Sequence, residues 1–403
     1  TSEKNQIESA MIKVVTFKGE EDERLTLPER QAELGVPITS VAIAKNWKIQ
    51  WAESYGESAN ANTRLQAASL SKTIASVGLI TLAEDLGVGL DDDLSNELKQ
   101  LDITTLNPDN LPINLRGLLS HTNGATVGGY RGYPIGSNLP DSRQIVSGIP
   151  PANSDPVTIM ANPQAERRYS GGGYQIAQLW AETVTGESFE QLMQRLVMKP
   201  IGMTNSSFSI VEPDNANSGD YAKAFDGYGN IIGGGWYLHP EQAAAGLWTT
   251  PTDYATFVLH LMGAAQGRND SVIRPSVAKE VLKPVINEAG MGLGIQTRQG
   301  EMRLMKSGLN QGFICTFMAF PERGDVIVAM TNSKSGFPMV GDVNRTANQA
   351  YGWPSSPLIF HNRISVDENE LSQLVGDYSV KGVADIAFSL THDGSTLIGT
   401  TPS

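Results

Sequence analysis

A chain of 403 residues with 40% hydrophobic and 18% charged residues has the composition of an ordinary globular protein able to bury a large core. Its formal net charge of -13, with no block rich in lysine or arginine, argues against nucleic acid or an anionic membrane surface as partner, since phosphates would be repelled. The single cysteine, Cys315, rules out an intrachain disulfide and a cysteine metal cluster, and no run of about 18 apolar residues is present to span a membrane.

Residues 9–35 are charged and weakly periodic, which predicts an N-terminal helix followed by a loop. Segments 40–44 and 48–52 flank Lys45-Asn46-Trp47 and predict a hairpin. From Ser69 onward the apolar positions Ile74, Val77, Ile80 and Leu82 mark a buried helix, stopped by Gly87 and Gly89. Residues 110–175 are rich in Gly, Pro, Asn and Ser and predict long ordered loops around one short helix, the kind of segment that commonly carries function. Helices are expected over 174–184, 189–198 and 251–262. The pattern then changes: 291–297, 301–306, 313–320 and 326–331 read as strands of an antiparallel meander, followed by an amphipathic helix near 341–351.

Strands towards both ends with helices between them predict an α+β domain over residues 1–356. Its antiparallel sheet would be formed by both chain ends, with a mainly helical insertion at about 70–285. Pro354-Ser355-Ser356-Pro357 reads as a linker, and 357–403 as that linker plus the start of a C-terminal β module, with strand-like runs at 375–378 and 386–390.

Three short elements can carry chemistry. Ser69-Leu70-Ser71-Lys72 is a Ser-x-x-Lys element opening a helix, and one helical turn sets Lys72 beside the Ser69 hydroxyl. Ser276-Val277-Ala278-Lys279 repeats the spacing, but mid-helix with no capped or glycine-rich setting, and reads as a solvated face. The second element, Tyr169-Ser170-Gly171-Gly172-Gly173, places a phenol before three glycines that let the backbone approach another segment closely. The third, Lys306-Ser307-Gly308-Leu309-Asn310, offers a cation, a hydroxyl and a glycine along which an extended substrate can lie. The five histidines are scattered, with no His-Glu-x-x-His helix, and no Gly-x-Ser-x-Gly elbow occurs. Cys315, inside an apolar run, reads as a core residue.

The order and spacing of the three elements resemble the class C β-lactamase-like serine hydrolases, a family that includes penicillin-binding proteins, D-alanyl-D-alanine carboxypeptidases, D-aminopeptidases and esterases. The resemblance covers most of residues 20–352. It includes the stretches around Pro112–Gly124, Pro200–Ser206 and Ala245–Asp253, and 367–390 is similar to the start of a β-barrel module that many such proteins append.

It implies a β-lactamase/transpeptidase-like fold in which Ser69 is acylated and Lys72 and Tyr169 share a proton as a coupled pair. Lys306 would be a second cation favouring a Tyr169 phenolate. The oxyanion hole would be the Ser69 and Leu309 N–H groups, with Ser307 and Asn310 orienting a substrate carboxylate or amide. His121 would sit in a structural turn. No metal or organic cofactor is required, the partner is a small-molecule or peptide substrate, and a periplasmic or secreted location follows from the resemblance alone. One departure stands out: class C β-lactamases carry Asn two positions after the Tyr, and here that position is Gly171. This favours a peptidase, amidase or esterase with weak β-lactam turnover. The alternative is a catalytically weak protein that binds penicillin or senses cell-wall peptides.

Overall fold

The computed structural model describes residues 2–19, 23–57, 59–101, 103, 106–107, 109–161, 166–212, 220–362, 366–379, 387–394 and 397–400. Helices α1 (Ser2–Ser9) and α2 (Leu27–Leu34) come first, the second opened by a reciprocal Thr26/Glu29 capping box. The expected hairpin follows as β1 (Thr39–Lys45) and β2 (Lys48–Tyr55). It reverses at Asn46 and Trp47, whose φ values of 49° and 69° give the left-handed pair a tight turn needs to match strand twist.

The helical part contains α3 (Ser71–Leu86), α4 (Leu115–Ser120), α5 (Gly171–Thr185), α6 (Gln242–Ala245) and α7 (Pro251–Ala265). Every residue of α3 from Ser71 to Ala83 is buried, the polar Ser71, Lys72, Thr73 and Ser76 included, so this helix is enclosed all round rather than on one face. The chain then returns through β3 (Gly294–Arg298), β4 (Glu301–Asn310), β5 (Phe313–Phe320) and β6 (Asp325–Thr331), and closes with α8 (Gly336–Tyr351).

The strands make one six-stranded sheet in the order β2-β1-β6-β5-β4-β3, antiparallel throughout, in which β1 from one end of the domain pairs with β6 from the other. Strands β5 and β6 are buried along their whole length. Their alternating side chains feed two cores. Cys315, Phe317 and Val328 face the large cluster that includes Ile74 and Tyr254, while Ile314, Met318 and Ile327 face Met339, Val343 and Ile7 on the other side. The expected fold class is therefore the observed one.

Several boundaries differ from the sequence reading. Strand β4 runs on to Asn310, so the Lys-Ser-Gly element lies within the strand. Helix α5 begins at Gly171 rather than 174, because Ser170 caps it and neighbouring loops hold glycines in a helical turn they do not favour alone. Helix α8 starts at Gly336, and the helix expected over 189–198 is α-helical over Phe189–Met193 and π-helical over Gln194–Met198. Ser276 and Lys279 are exposed on the helix Pro275–Val281.

Residues 15–23 and 358–403 group as a unit separate from 1–14 and 24–357. In it Thr16–Phe17 pairs in parallel with Phe360–His361, and Gly376–Ser379, Ala387–His392 and Leu397–Thr400 form an antiparallel meander. Residue 386, the expected start of one strand, lies outside the described residues, as do 20–22 and 162–165. Among the described residues no helix is long and apolar enough to cross a membrane.

One buried ion pair ties α2 to α8. Asp342 accepts from Arg30 Nε at 2.7 Å and from the Val14 N–H at 2.6 Å, and both side chains are nearly inaccessible. Arg30 also reaches Glu33 at 2.8 Å, so it is removal of Arg30, with Asp342 still buried, that leaves an uncompensated buried charge. Arg30→Ala should lower the folding stability by about 3–5 kcal/mol, read by urea denaturation; a loss below about 1 kcal/mol would show that Asp342 is served well enough by the Val14 N–H and water.

Candidate active site

Ser69 is the middle residue of a single 3-10 turn, Ala68–Leu70, immediately before α3. Ala68 has φ 48°, a left-handed conformation costly for a residue with a Cβ. Contacts around the turn hold it there: Cys315 Sγ donates to the Ala67 carbonyl at 2.9 Å, the Tyr254 hydroxyl to that of Leu70 at 3.0 Å, and the Leu247 N–H to Ser71 Oγ at 3.0 Å. One helical turn on, Lys72 Nζ lies 3.2 Å from Ser69 Oγ and donates to the Ala244 carbonyl of α6 at 2.7 Å. Only 2% of Lys72 is exposed.

Tyr169 arrives from the other side, its hydroxyl 2.9 Å from Ser69 Oγ. Its position follows from how α5 begins. Ser170 Oγ accepts from the Gly173 N–H at 3.0 Å, and the N–H groups of Gly171 and Gly172 donate to the carbonyls of Gly128 and Val127, each at 3.0 Å. A Cβ at Gly172 would come within 2.3 Å of the Thr126 carbonyl oxygen, so the close approach expected of the glycine run is real.

Three cations surround the phenol. Lys306 Nζ lies 4.7 Å, Lys72 Nζ 5.2 Å and the Arg167 guanidinium 5.8 Å from the ring centroid. Burial works against ionising Tyr169, but the charges of Lys306 and Lys72 and the hydrogen bonds with Ser69 and Lys72 outweigh it and bring the phenol down to about 7. Burial, with the charges of Lys72 and Arg167, pushes Lys306 down in turn, opposed by Tyr169. The arrangement can take a proton from Ser69 near neutral pH.

Strand β4 forms the remaining wall. Its partner β3 reaches only Glu301 to Met305, so 306–310 are paired on the β5 side alone and present a free edge. Gly308 is needed for packing: a Cβ there would lie 2.6 Å from the Ala67 carbonyl oxygen and 2.9 Å from the Ser69 nitrogen. Ser307 and Leu309 are exposed. Asn310 is tethered, its Nδ2 donating to Gln66 Oε1 at 2.8 Å and to the Ala245 carbonyl at 3.1 Å.

Ser69, Lys72, Tyr169 and Lys306 thus converge, with Gly308 packed against the Ser69 turn. Gly171 is placed differently: as the first residue of α5 it has no left-handed backbone, and a Cβ on it would meet the ring of Tyr130 at 3.1 Å and the Gly128 carbonyl oxygen at 3.3 Å. Sequence reasoning missed Ala244, Ala245, Gln66, Arg167 and Tyr130. The first two act through backbone carbonyls, which no residue type announces. Cys315 is a core residue, its thiol pushed up by burial.

The beta-lactamase family model matches residues 24–351. Protein flp of Staphylococcus aureus (strain MRSA252) is 24% identical over 242 residues, 57% of this chain and 44% of flp, so the chain spans less than half the length of that relative. Among solved structures, the octameric penicillin-binding protein homologue from Pyrococcus abyssi superposes with a TM-score of 0.64 at 20% identity, covering 93% of this chain and 88% of that one. The D-amino acid amidase from Ochrobactrum anthropi SV3 complexed with D-phenylalanine gives 0.64 at 18% identity over 81% and 97%. D-alanine carboxypeptidase AmpC from Burkholderia cenocepacia gives 0.63 at 16% identity over 81% and 96%. These likenesses establish the shared fold, and the match across 24–351 establishes the rest: the chain belongs to the beta-lactamase family.

Proposed function

We propose that the enzyme hydrolyses amide or ester bonds of small D-amino-acid-type substrates through a Ser69 acyl-enzyme, with only weak turnover of β-lactams. The observation that carries this is the Ser69 hydroxyl lying between Lys72 Nζ and the Tyr169 hydroxyl, at 3.2 and 2.9 Å. Tyr169, as phenolate, takes the Ser69 proton while Oγ attacks the carbonyl carbon. The N–H groups of Ser69 and Leu309 receive the oxyanion, a donor of this kind being worth about 3–4 kcal/mol. As the C–N or C–O bond breaks, Tyr169 returns the proton to the leaving group. Water then gives a proton to Tyr169, attacks the acyl carbon and releases Ser69, which recovers its proton from Tyr169. Lys72 and Lys306 stabilise the phenolate throughout, and Ser307 and the free edge of β4 receive the substrate. The names of two structural neighbours, an amidase of D-amino acids and a D-alanine carboxypeptidase, support the substrate class. The family resemblance also supports a periplasmic or secreted location.

The nucleophile and its base are testable together. Ser69→Ala should abolish labelling by a serine-reactive phosphonate, whereas Ser276→Ala should not. In the wild type, kcat/KM should climb as pH rises through about 7 and level off above it, because the phenolate is the active form and Tyr169 loses its proton there. Tyr169→Phe should lower kcat/KM by about 10²-fold or more. Near wild-type activity with a flat profile in Tyr169→Phe would remove Tyr169 from the mechanism.

Substrate class rests on Gly171. With no side-chain amide there, an acylamide substituent loses one hydrogen bond, worth up to roughly tenfold in rate. D-amino-acid amides and small esters should turn over faster than nitrocefin or penicillins. Gly171→Asn is compatible with a helical backbone, and its Cβ needs both the Tyr130 ring, at 3.1 Å, and the Gly128 carbonyl oxygen, at 3.3 Å, to yield by a few tenths of an ångström. It should therefore raise nitrocefin hydrolysis up to roughly tenfold. A wild type that hydrolyses cephalosporins near the diffusional ceiling overturns the substrate assignment. Acylation by every substrate without release would make the protein a binder.

A further inference from the structure

His121 closes α4 in the left-handed region, with φ 66°, a place that glycine fills without strain. The cap itself needs no side chain. Its bonds, Thr122 N–H to Gly117 O at 2.9 Å, Asn123 N–H to Gly117 O at 3.1 Å and His121 N–H to Leu118 O at 3.4 Å, are made by backbone alone. The imidazole nevertheless is buried, with 4% of the residue exposed, and its contacts all lead to one place.

The His121 carbonyl accepts the N–H of Arg168 at 2.9 Å and its Nδ1 accepts the N–H of Ser170 at 3.1 Å, so one residue grips the backbone on both sides of Tyr169. Its ring lies 4.5 Å from that of Tyr169 and 5.6 Å from that of Tyr174, centroid to centroid. An Nδ1 that accepts must carry no proton, which assigns the Nε2–H tautomer. The groups facing the ring agree with a neutral imidazole: burial first, then the charges of Lys306, Lys72 and Arg167, all disfavour a further cation.

We propose that His121 is the positioning residue of Tyr169, holding the phenol on Ser69 by clamping the backbone before and after it and backing its ring. The proposal rests on the reading of Tyr169 as the proton-transfer group. Protonation of His121 would cost it the Nδ1 acceptor and release the Ser170 N–H.

Two variants separate positioning from capping. Gly is the residue best suited to a left-handed cap, so His121→Gly keeps the cap but loses the Ser170 acceptor and the ring. Asn tolerates the same φ and places Oδ1 where Nδ1 stands, so His121→Asn keeps the acceptor. Phosphonate labelling of Ser69 and kcat/KM for a small ester are measured on each folded variant. His121→Gly should lose about 10- to 100-fold in kcat/KM, the scale of a misplacement near 1 Å. Its pH midpoint should also rise by roughly one pH unit, as the phenol drifts from Lys306 and Lys72. His121→Asn should stay within about fivefold of wild type with the midpoint unmoved.

Wild-type kcat/KM and midpoint in His121→Gly, or equal losses in both variants, overturn the proposal. Should His121→Gly not fold, nitrogen NMR of histidine in the wild type decides: an Nε2–H tautomer that stays neutral through pH 6 is expected, and a protonated Nδ1 or an ordinary titration near 6.5 overturns it. Tyr169→Phe is the control that keeps the two ideas apart. Activity surviving there defeats the mechanism of Tyr169 itself, while activity lost there but kept in His121→Gly defeats only the role of His121.

Discussion

Two ammonium groups, Lys306 and Lys72, stand 4.7 and 5.2 Å from the centre of one phenol ring. Both charges favour the anionic form of Tyr169 and outweigh the effect of its burial. Everything around the site keeps that triangle from relaxing outward. The Ala244 carbonyl anchors Lys72 from α6, and the β5 ladder fixes Lys306 on β4. The left-handed Ala68 carries the Ser69 hydroxyl to the point where Lys72 Nζ and the Tyr169 hydroxyl both reach it.

Glycine does the complementary work of letting segments come closer than side chains allow. At Gly308 the β4 backbone meets the Ser69 turn, and at Gly172 the start of α5 meets the Thr126 carbonyl. A larger residue at either place would move one wall of the site relative to the other. The same economy of volume brings in Tyr130, whose ring would lie 3.1 Å from a Cβ on Gly171.

What could be read from the sequence was local. Ser69 and Lys72 are joined by one turn of helix, so their proximity follows from spacing alone, and β5 and β6 announce themselves as apolar runs buried on both faces. Nothing local relates Lys72 to Ala244, or Asn310 to Gln66 and Ala245, because those contacts join residues far apart in the chain through backbone carbonyls or a plain amide. The end of β4 escapes the sequence for a related reason: Ser307, Gly308 and Asn310 are residue types common in turns, and pairing with β5 keeps them extended. Thr16–Phe17, in turn, is too short to show a period, and its pairing with Phe360–His361 is invisible until both are folded.

The pairing of β1 with β6 makes assembly a matter of waiting. During synthesis the β1–β2 hairpin emerges early, yet the edge of β1 that carries Val41 and Ala42 has its partner only in Val328 and Ala329. At about 5–20 residues per second, on the order of 10–60 s pass before that partner is made. Throughout this interval an apolar strand edge stands open to other chains, which is the condition for misassembly and for chaperone capture. The β1–β2 hairpin and the β3–β6 meander each pair between neighbouring strands, so the seam between β1 and β6 is the last ladder of the sheet to close.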